Sequence, residues 1–281
     1  MPRDAKDFKS DLKPIWCPGC GDFGVLAAAY RAFAELDLDP DKTVVVSGIG
    51  CSSRFPGFVT TYGYHGVHGR ALPTAMGVKM ANPELEVIAV GGDGDGFAIG
   101  GGHFPHAARR NVDITYIVMN NEIYGLTKGQ VSPTSQHGQS SPSSPFGNAE
   151  QPLNTMATAI AADASFVARG ASFRAKELTE LVIAGITNPG FSFIDAYSPC
   201  TSFNNTTQVW KDKVDQLADH DPTDRAAAFA LALDDPMSLG IFYKHERATM
   251  GQELKALRDN ADPTTVDALL DSYALDVKVA S

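Results

Sequence analysis

At 281 residues and a net charge of −10, with 33 acidic against 23 basic side chains, the chain is long enough for one elaborated domain or two. It is too acidic for a polyanion partner, which would need clustered Lys and Arg, so no nucleic-acid role is expected. No apolar run reaches the roughly 18 residues of a membrane span, and the opening MPRDAKDFKSDLKPIW lacks the apolar stretch of a signal peptide, so a cytoplasmic chain with no membrane association is expected.

In chain order, a Cys-x-x-Cys pair in WCPGCGDFG leads into a helix over 22–36, and the β-branched run TVVVSG predicts a strand at 43–48. A helix at 70–81 and a strand at 86–92 follow, the strand opening into the glycine-rich GGDGDGFAIGGG. Next come a helix at 104–110 and a strand at 113–121 that ends in Asn120-Asn121. Residues 127–152, rich in Ser, Pro, Gly and Gln, read as a long loop at an active site or interface. Helices at 153–162 and 174–186 then precede a strand at 190–197. Strands alternating with helices predict an α/β protein: a doubly wound, mostly parallel sheet with helices on both faces. The stretch 234–263 is more charged and reads as an extension outside the sheet.

Open parallel sheets bind ligands beyond the carboxyl ends of their strands, where loops expose amides and helix N-termini. The unusual residues all fall there: Cys51, then Asp93 and Asp95, then Asn121, then Cys200. The glycine run is no dinucleotide fingerprint, because Phe97 or Ile99 stands where the third glycine is needed. No Gly-Lys-Ser/Thr follows, which also rules out a P-loop. Glycine amides suit a phosphate, but an aspartate beside an anion needs a cation between them. Mg²⁺ bridging a pyrophosphate is therefore predicted.

Gly92-Asp93-Gly94 followed by Asn120-Asn121 is similar to the Gly-Asp-Gly…Asn-Asn signature of thiamine diphosphate enzymes. The resemblance implies that Asp93, the Asn121 side chain and the Ile123 carbonyl hold Mg²⁺. It also implies that the amides of Gly94, Asp95, Gly125 and Leu126 approach thiamine diphosphate. Asp95 paired with Asn121 is a competing register.

Four cysteines, Cys17, Cys20, Cys51 and Cys200, are too few for a disulfide scaffold at this length. Their chemistry alone leaves Zn²⁺, a [4Fe-4S] cluster, a redox pair and unrelated buried thiols open. The segments WCPGCGDFGVL, SGIGCSSRFP, YGYHGVHGRALPTAMGVKMANP, GGDGDGFAIGGGH and NNEIYGLTKGQ together resemble the β subunit of the two-subunit 2-oxoacid:ferredoxin oxidoreductases, over most of residues 8–205. The resemblance implies the thiamine diphosphate-binding fold over 1–205, with one [4Fe-4S] cluster ligated by all four cysteines. Residues 206–281 become a C-terminal extension packing on the core or on a partner. Ile49, Gly50, Cys51, Ser52 and His68 are expected to line the cofactor.

The implied activity is coenzyme A-dependent oxidative decarboxylation of a 2-oxoacid, or its reverse, with electrons leaving through the cluster to ferredoxin. Cys51, His68 and Arg54 are the expected catalytic set. No pyrimidine-binding half is recognised, so an α subunit is expected to complete the site. Arg54, three residues after Cys51, is expected to pair with the distal carboxylate of 2-oxoglutarate, which favours that acid over pyruvate. A pyruvate-specific enzyme and a non-catalytic Fe-S or Zn scaffold are the alternatives.

Overall fold

A computed structural model describes residues 2–234, 237–260 and 266–273. Seven strands form one sheet: β1 (Thr43–Ser47), β2 (Tyr62–His65), β3 (Glu86–Gly92), β4 (Ile114–Asn120), β5 (Phe166–Ala171), β6 (Phe191–Tyr197) and β7 (Gly240–Lys244). Their order is β2-β1-β3-β4-β6-β5-β7, and every pair except β5–β7 is parallel. The carboxyl ends of β1 to β6 therefore share one edge, where the glycines, aspartates, asparagines and cysteines begin.

Helices cover both faces, and the strand period of two decides which residues meet them. Val44 and Val46 of β1 join one core with α2 (Ala71–Ala81), α3 (Phe104–Arg110), α4 (Thr155–Ala161) and α7 (Arg225–Asp234). Val45 between them joins the other core, with α1 (Asp22–Glu35) and α5 (Ala175–Thr187). Phe104 anchors the first core, its ring 5.0 Å from those of both Phe97 and Phe193 and 5.6 Å from that of Phe191. Burying these rings supplies cohesion directly beneath the glycine-rich turn. The remaining described helices are α6 (Thr207–Lys213), α8 (Met250–Asp259) and α9 (Val266–Ser272).

The four expected strands are present as β1, β3, β4 and β6. Three others carry no clear sequence signal. β2 is YGYH, exposed along its whole length, and β5 buries an arginine and a glycine within FVARGA. The third, β7, corrects the expectation that 234–263 lies outside the sheet: it pairs antiparallel with β5, Val167 opposite Tyr243, and closes that edge. An edge left bare would expose unpaired amides, and burying Phe242 and Tyr243 rewards covering it. Within the extension 206–281, residues 235–236, 261–265 and 274–281 lie outside the described residues.

Glu86 at the start of β3 offers a handle on the sheet. Burial pushes its carboxyl from the ordinary 4.5 up to about 7, with Asp113 adding to the effect and Lys79 opposing it. A carboxyl whose pKa is higher folded than unfolded favours the fold below about pH 4.5, and that contribution disappears as the pH rises through about 7. Glu86→Gln is accordingly expected to flatten the fall in stability across this window and to raise the urea midpoint at pH 8. An unchanged profile would show that Glu86 titrates normally.

Candidate functional site

The N-terminal segment reaches the strand ends through a set of close contacts. Gly21 donates its amide to Pro199 O at 3.0 Å, and Thr201 Oγ1 donates to Pro18 O at 3.1 Å. A Cβ on Gly21 would lie 2.6 Å from the backbone of Ser198, so only glycine allows this approach. Ser198 in turn donates its hydroxyl to Asp22 and its amide to Asn120 O. On the other side, Trp16 Nε1 donates to Cys51 O at 2.7 Å. The Cys17–Cys20 turn is thereby held against the loops that carry Cys51 and Cys200.

The thiols interact in pairs, Cys20 with Cys51 and Cys200, and Cys51 with Cys200 and Cys17, although no three of them stand as around a single ion among the described residues. A Cβ on Gly125 would sit 3.5 Å from Cys200 Sγ and 3.6 Å from Cys51 Sγ, so two of the sulfurs converge on this glycine. Cys17 is exposed, Cys20 and Cys51 half-buried and Cys200 buried. Burial, with Asp22 adding to it, pushes the Cys51 thiol up to about 11 and Cys20 higher still. Asp22 itself is raised to about 6, again by burial first. Thiolates are strongly disfavoured in such a place without positive charge, and a metal centre would supply it.

Next to the thiols, Asp93 is 1 % exposed and its carboxyl is raised by burial. Thr134 Oγ1 donates to Asp93 Oδ2 at 2.7 Å, and Ser132 Oγ donates to the same oxygen. Both hydroxyls come from the long loop, which is folded onto the site and also anchored by Ser135 Oγ donating to Glu122 O at 2.6 Å. Asn121 Oδ1 accepts the Ile123 amide at 3.0 Å, closing the turn after β4 and leaving its second lone pair. Tyr124 packs on the next glycine: its hydroxyl donates to Gly94 O at 3.2 Å, and a Cβ on Gly94 would be 2.2 Å from its ring.

These loops enclose a cavity of about 510 Å³. Its walls include Ile49, Gly50, Cys51, Ser52, His68, Gly94, Asp95, Gly125 and Leu126, the nine expected cofactor neighbours, together with Asp93, Asn121 and Ile123. Ile49 and Leu126, apolar residues of the cavity wall, stand exposed at 37 % and 45 %. Arg54 is exposed and outside the lining, although its charge reaches Cys51. A second cavity of about 490 Å³ contains the buried Arg169–Asp195 pair and none of the sequence-predicted site residues.

Among the described residues no three of His, Cys, Asp and Glu stand together as around a single ion. The hard oxygens of Asp93, Asn121 and Ile123 share one wall, and a donor set with a single carboxylate makes no such group. Sequence reasoning missed Ser132, Thr134, Asp22 and Tyr124, since nothing in a Ser/Pro-rich loop signals which hydroxyl will return to a carboxylate. It did find the loop.

Comparison with known proteins gives this geometry a family. Residues 48–196 match the thiamine pyrophosphate enzyme, C-terminal TPP binding domain, and residues 200–259 match the C-terminal family of the pyruvate ferredoxin oxidoreductase beta subunit. The chain is 42 % identical over 273 residues to the 2-oxoacid:ferredoxin oxidoreductase 1 subunit beta of Aeropyrum pernix, covering 92 % of this chain and 86 % of the relative. The chain belongs to the β subunits of the 2-oxoacid:ferredoxin oxidoreductases. It is also 39 % identical to the 2-oxoglutarate synthase subunit KorB of Archaeoglobus fulgidus, over 88 % of this chain and 91 % of that one. Among solved structures it resembles, at a TM-score of 0.93, 40 % identity and 97 % coverage of both chains, a 2-oxoglutarate:ferredoxin oxidoreductase from Magnetococcus marinus with 2-oxoglutarate, coenzyme A and succinyl-CoA bound. As a β subunit the chain works within an enzyme completed by an α subunit, and its thiamine diphosphate-binding fold is the sheet described above. Among the described residues no helix is long and apolar enough to cross a membrane.

Gly21→Ala in this β subunit is expected to cost about 1–3 kcal/mol, because the clash is with backbone. It should also speed thiol-reagent labelling of Cys200 in the metal-free chain. Unchanged stability together with unchanged labelling would show that the contact does not hold the cysteines together.

Proposed function

We propose that this β subunit serves the coenzyme A-dependent oxidative decarboxylation of 2-oxoglutarate, or the reverse carboxylation, and passes electrons through one [4Fe-4S] cluster to ferredoxin. The observation that carries this is Gly125, which lines the cavity while the sulfurs of Cys51 and Cys200 converge on it. Redox and carbon chemistry are then neighbours within one loop cluster. Thiamine diphosphate supplies an electron sink for the carbanion left when CO₂ departs, and the cluster supplies a one-electron acceptor.

The chain's own residues divide the remaining work. Asp93, the Asn121 amide oxygen and the Ile123 carbonyl would hold Mg²⁺, while the amides of Gly94, Asp95, Gly125 and Leu126 meet the diphosphate or the cofactor. Cys17, Cys20, Cys51 and Cys200 would ligate the cluster, which offsets the cost of burying thiols beside Asp22. His68, on the cavity wall, would face the cofactor, and the exposed Ile49 and Leu126 would form an apolar rim for the α subunit to cover. Arg54, exposed beyond Cys51, would read the distal carboxylate of the substrate where the α subunit packs over it. Pyruvate is the second reading, favoured by the family match of residues 200–259.

With the α subunit present, viologen reduction should be faster on 2-oxoglutarate than on pyruvate. Losing one charge-assisted pair is worth about 1.5–3 kcal/mol, so Arg54→Ala should lower kcat/KM for 2-oxoglutarate roughly ten- to a hundredfold and spare pyruvate. An equal loss on both acids would remove the carboxylate role. Separately, Thr134→Val leaves Asp93 Oδ2 with Ser132 alone. Supporting hydrogen bonds of this kind are worth about 10–100-fold in metal affinity, so calorimetry should show Mg²⁺-dependent thiamine diphosphate binding weakened by that factor. Unaltered binding would separate the long loop from the metal.

A further inference from the structure

His68 stands in the turn between β2 and α2 and lines the cavity. Its Nδ1 lies 2.8 Å from Asp95 Oδ1. That same oxygen accepts the amide of Gly69 at 2.7 Å and the amide of Ile49 at 2.9 Å. Two backbone amides already donate to Oδ1, which makes that oxygen an acceptor, so the ring nitrogen that meets it brings the proton. A neutral His68 then carries its hydrogen on Nδ1. Its Nε2, on the opposite edge of a side chain that is 37 % exposed, keeps a free lone pair.

The carboxylate has no room to do otherwise. Its side chain is 1 % exposed, and Oδ2 has no hydrogen-bond partner among the described residues. A Cβ on Gly48 would lie 2.0 Å from that oxygen and one on Gly91 3.2 Å, so the Asp95 carboxyl occupies space left by missing side chains. Gly69 adopts φ +69°, the left-handed turn that brings its amide onto Asp95 beside the histidine. Asp95 thus clamps two cavity loops, at Ile49 and at His68–Gly69, to the turn after β3. In sequence it looked like a cofactor neighbour through its amide; its side chain has a different task.

We propose that Asp95 is a positioning residue that fixes His68 as the Nδ1–H tautomer and presents the bare Nε2 to the cavity as an acceptor for an N–H or O–H of the bound cofactor or substrate. The acceptor role rests on the function proposed above, but the tautomer does not. If a proton is transferred, it goes to Nε2, the resulting imidazolium is paired with the Asp95 carboxylate, and the proton leaves from the same nitrogen.

The test is nitrogen NMR on the full chain, with ¹⁵N-histidine, in complex with unlabelled α subunit and without cofactor. The His68 signals are assigned by their loss in His68→Gln. At a pH where His68 is neutral, the wild-type chain should show a protonated Nδ1 and an unprotonated Nε2; the reverse pattern would overturn the proposal without any variant. In Asp95→Ala the Nδ1–H signal should be lost in favour of Nε2–H, and its persistence in a folded variant would overturn the role of Asp95. Thiamine diphosphate binding to the wild-type complex is measured in parallel. Absent binding with an Nδ1–H histidine would sink the proposed function and the acceptor role that rests on it but leave the tautomer, and firm binding with an Nε2–H histidine would sink the positioning role alone.

Discussion

Strands β1 to β6 all run the same way, so each delivers the residues that follow it to one edge of the sheet. That parallel alignment is the constraint from which the site follows. Cys51, Asp93, Asn121 and Cys200 are far apart in sequence, yet each lies within a few residues of a strand end. Parallel pairing needs buried crossovers, and the two apolar cores on either face hold the sheet in this arrangement. The chemistry at the rim therefore depends on Phe104, Val45 and their neighbours as much as on its own side chains.

The rim concentrates acid rather than base. Asp22, Asp93 and Glu122 are all buried near the strand ends, and burial raises all three carboxyls, Glu122 to about 7. Such a cluster is costly by itself, because desolvation acts against each charged form. Positive charge brought to the site by a bound group would relieve that cost. The hydroxyls of Ser132, Thr134 and Ser198 offset part of the cost in the chain alone. At Asp95, backbone amides and His68 surround one carboxyl oxygen.

Two aspartates separated by a single glycine thus do unlike work. Asp93 faces the long loop and the Asn121 turn, while Asp95 turns toward the loops after β1 and β2. A side chain added at Gly94 would strike Tyr124, so glycine lets the turn between them pass under that ring. The register in which Asp95 rather than Asp93 pairs with Asn121 finds no geometric support, because every hydrogen bond to Asp95 comes from the opposite side of the site.

The sequence by itself determined the α/β class, four of the seven strands among the described residues, the family and the residues that gather at the strand ends. Apolar runs and glycine-flanked aspartates are local patterns, and local patterns survive in one dimension. Only the tertiary structure decided that β2, β5 and β7 join the sheet. Exposure hides β2, a buried arginine masks β5, and β7 lies about seventy residues beyond the strand it pairs with. Likewise no local signal shows that Ser132 and Thr134 return to Asp93, that Gly21 sits against Ser198, or that Asp95 holds His68. These are contacts between distant segments, and the folded core alone fixes which of many chemically equivalent hydroxyls, amides and carboxylates come within hydrogen-bonding reach.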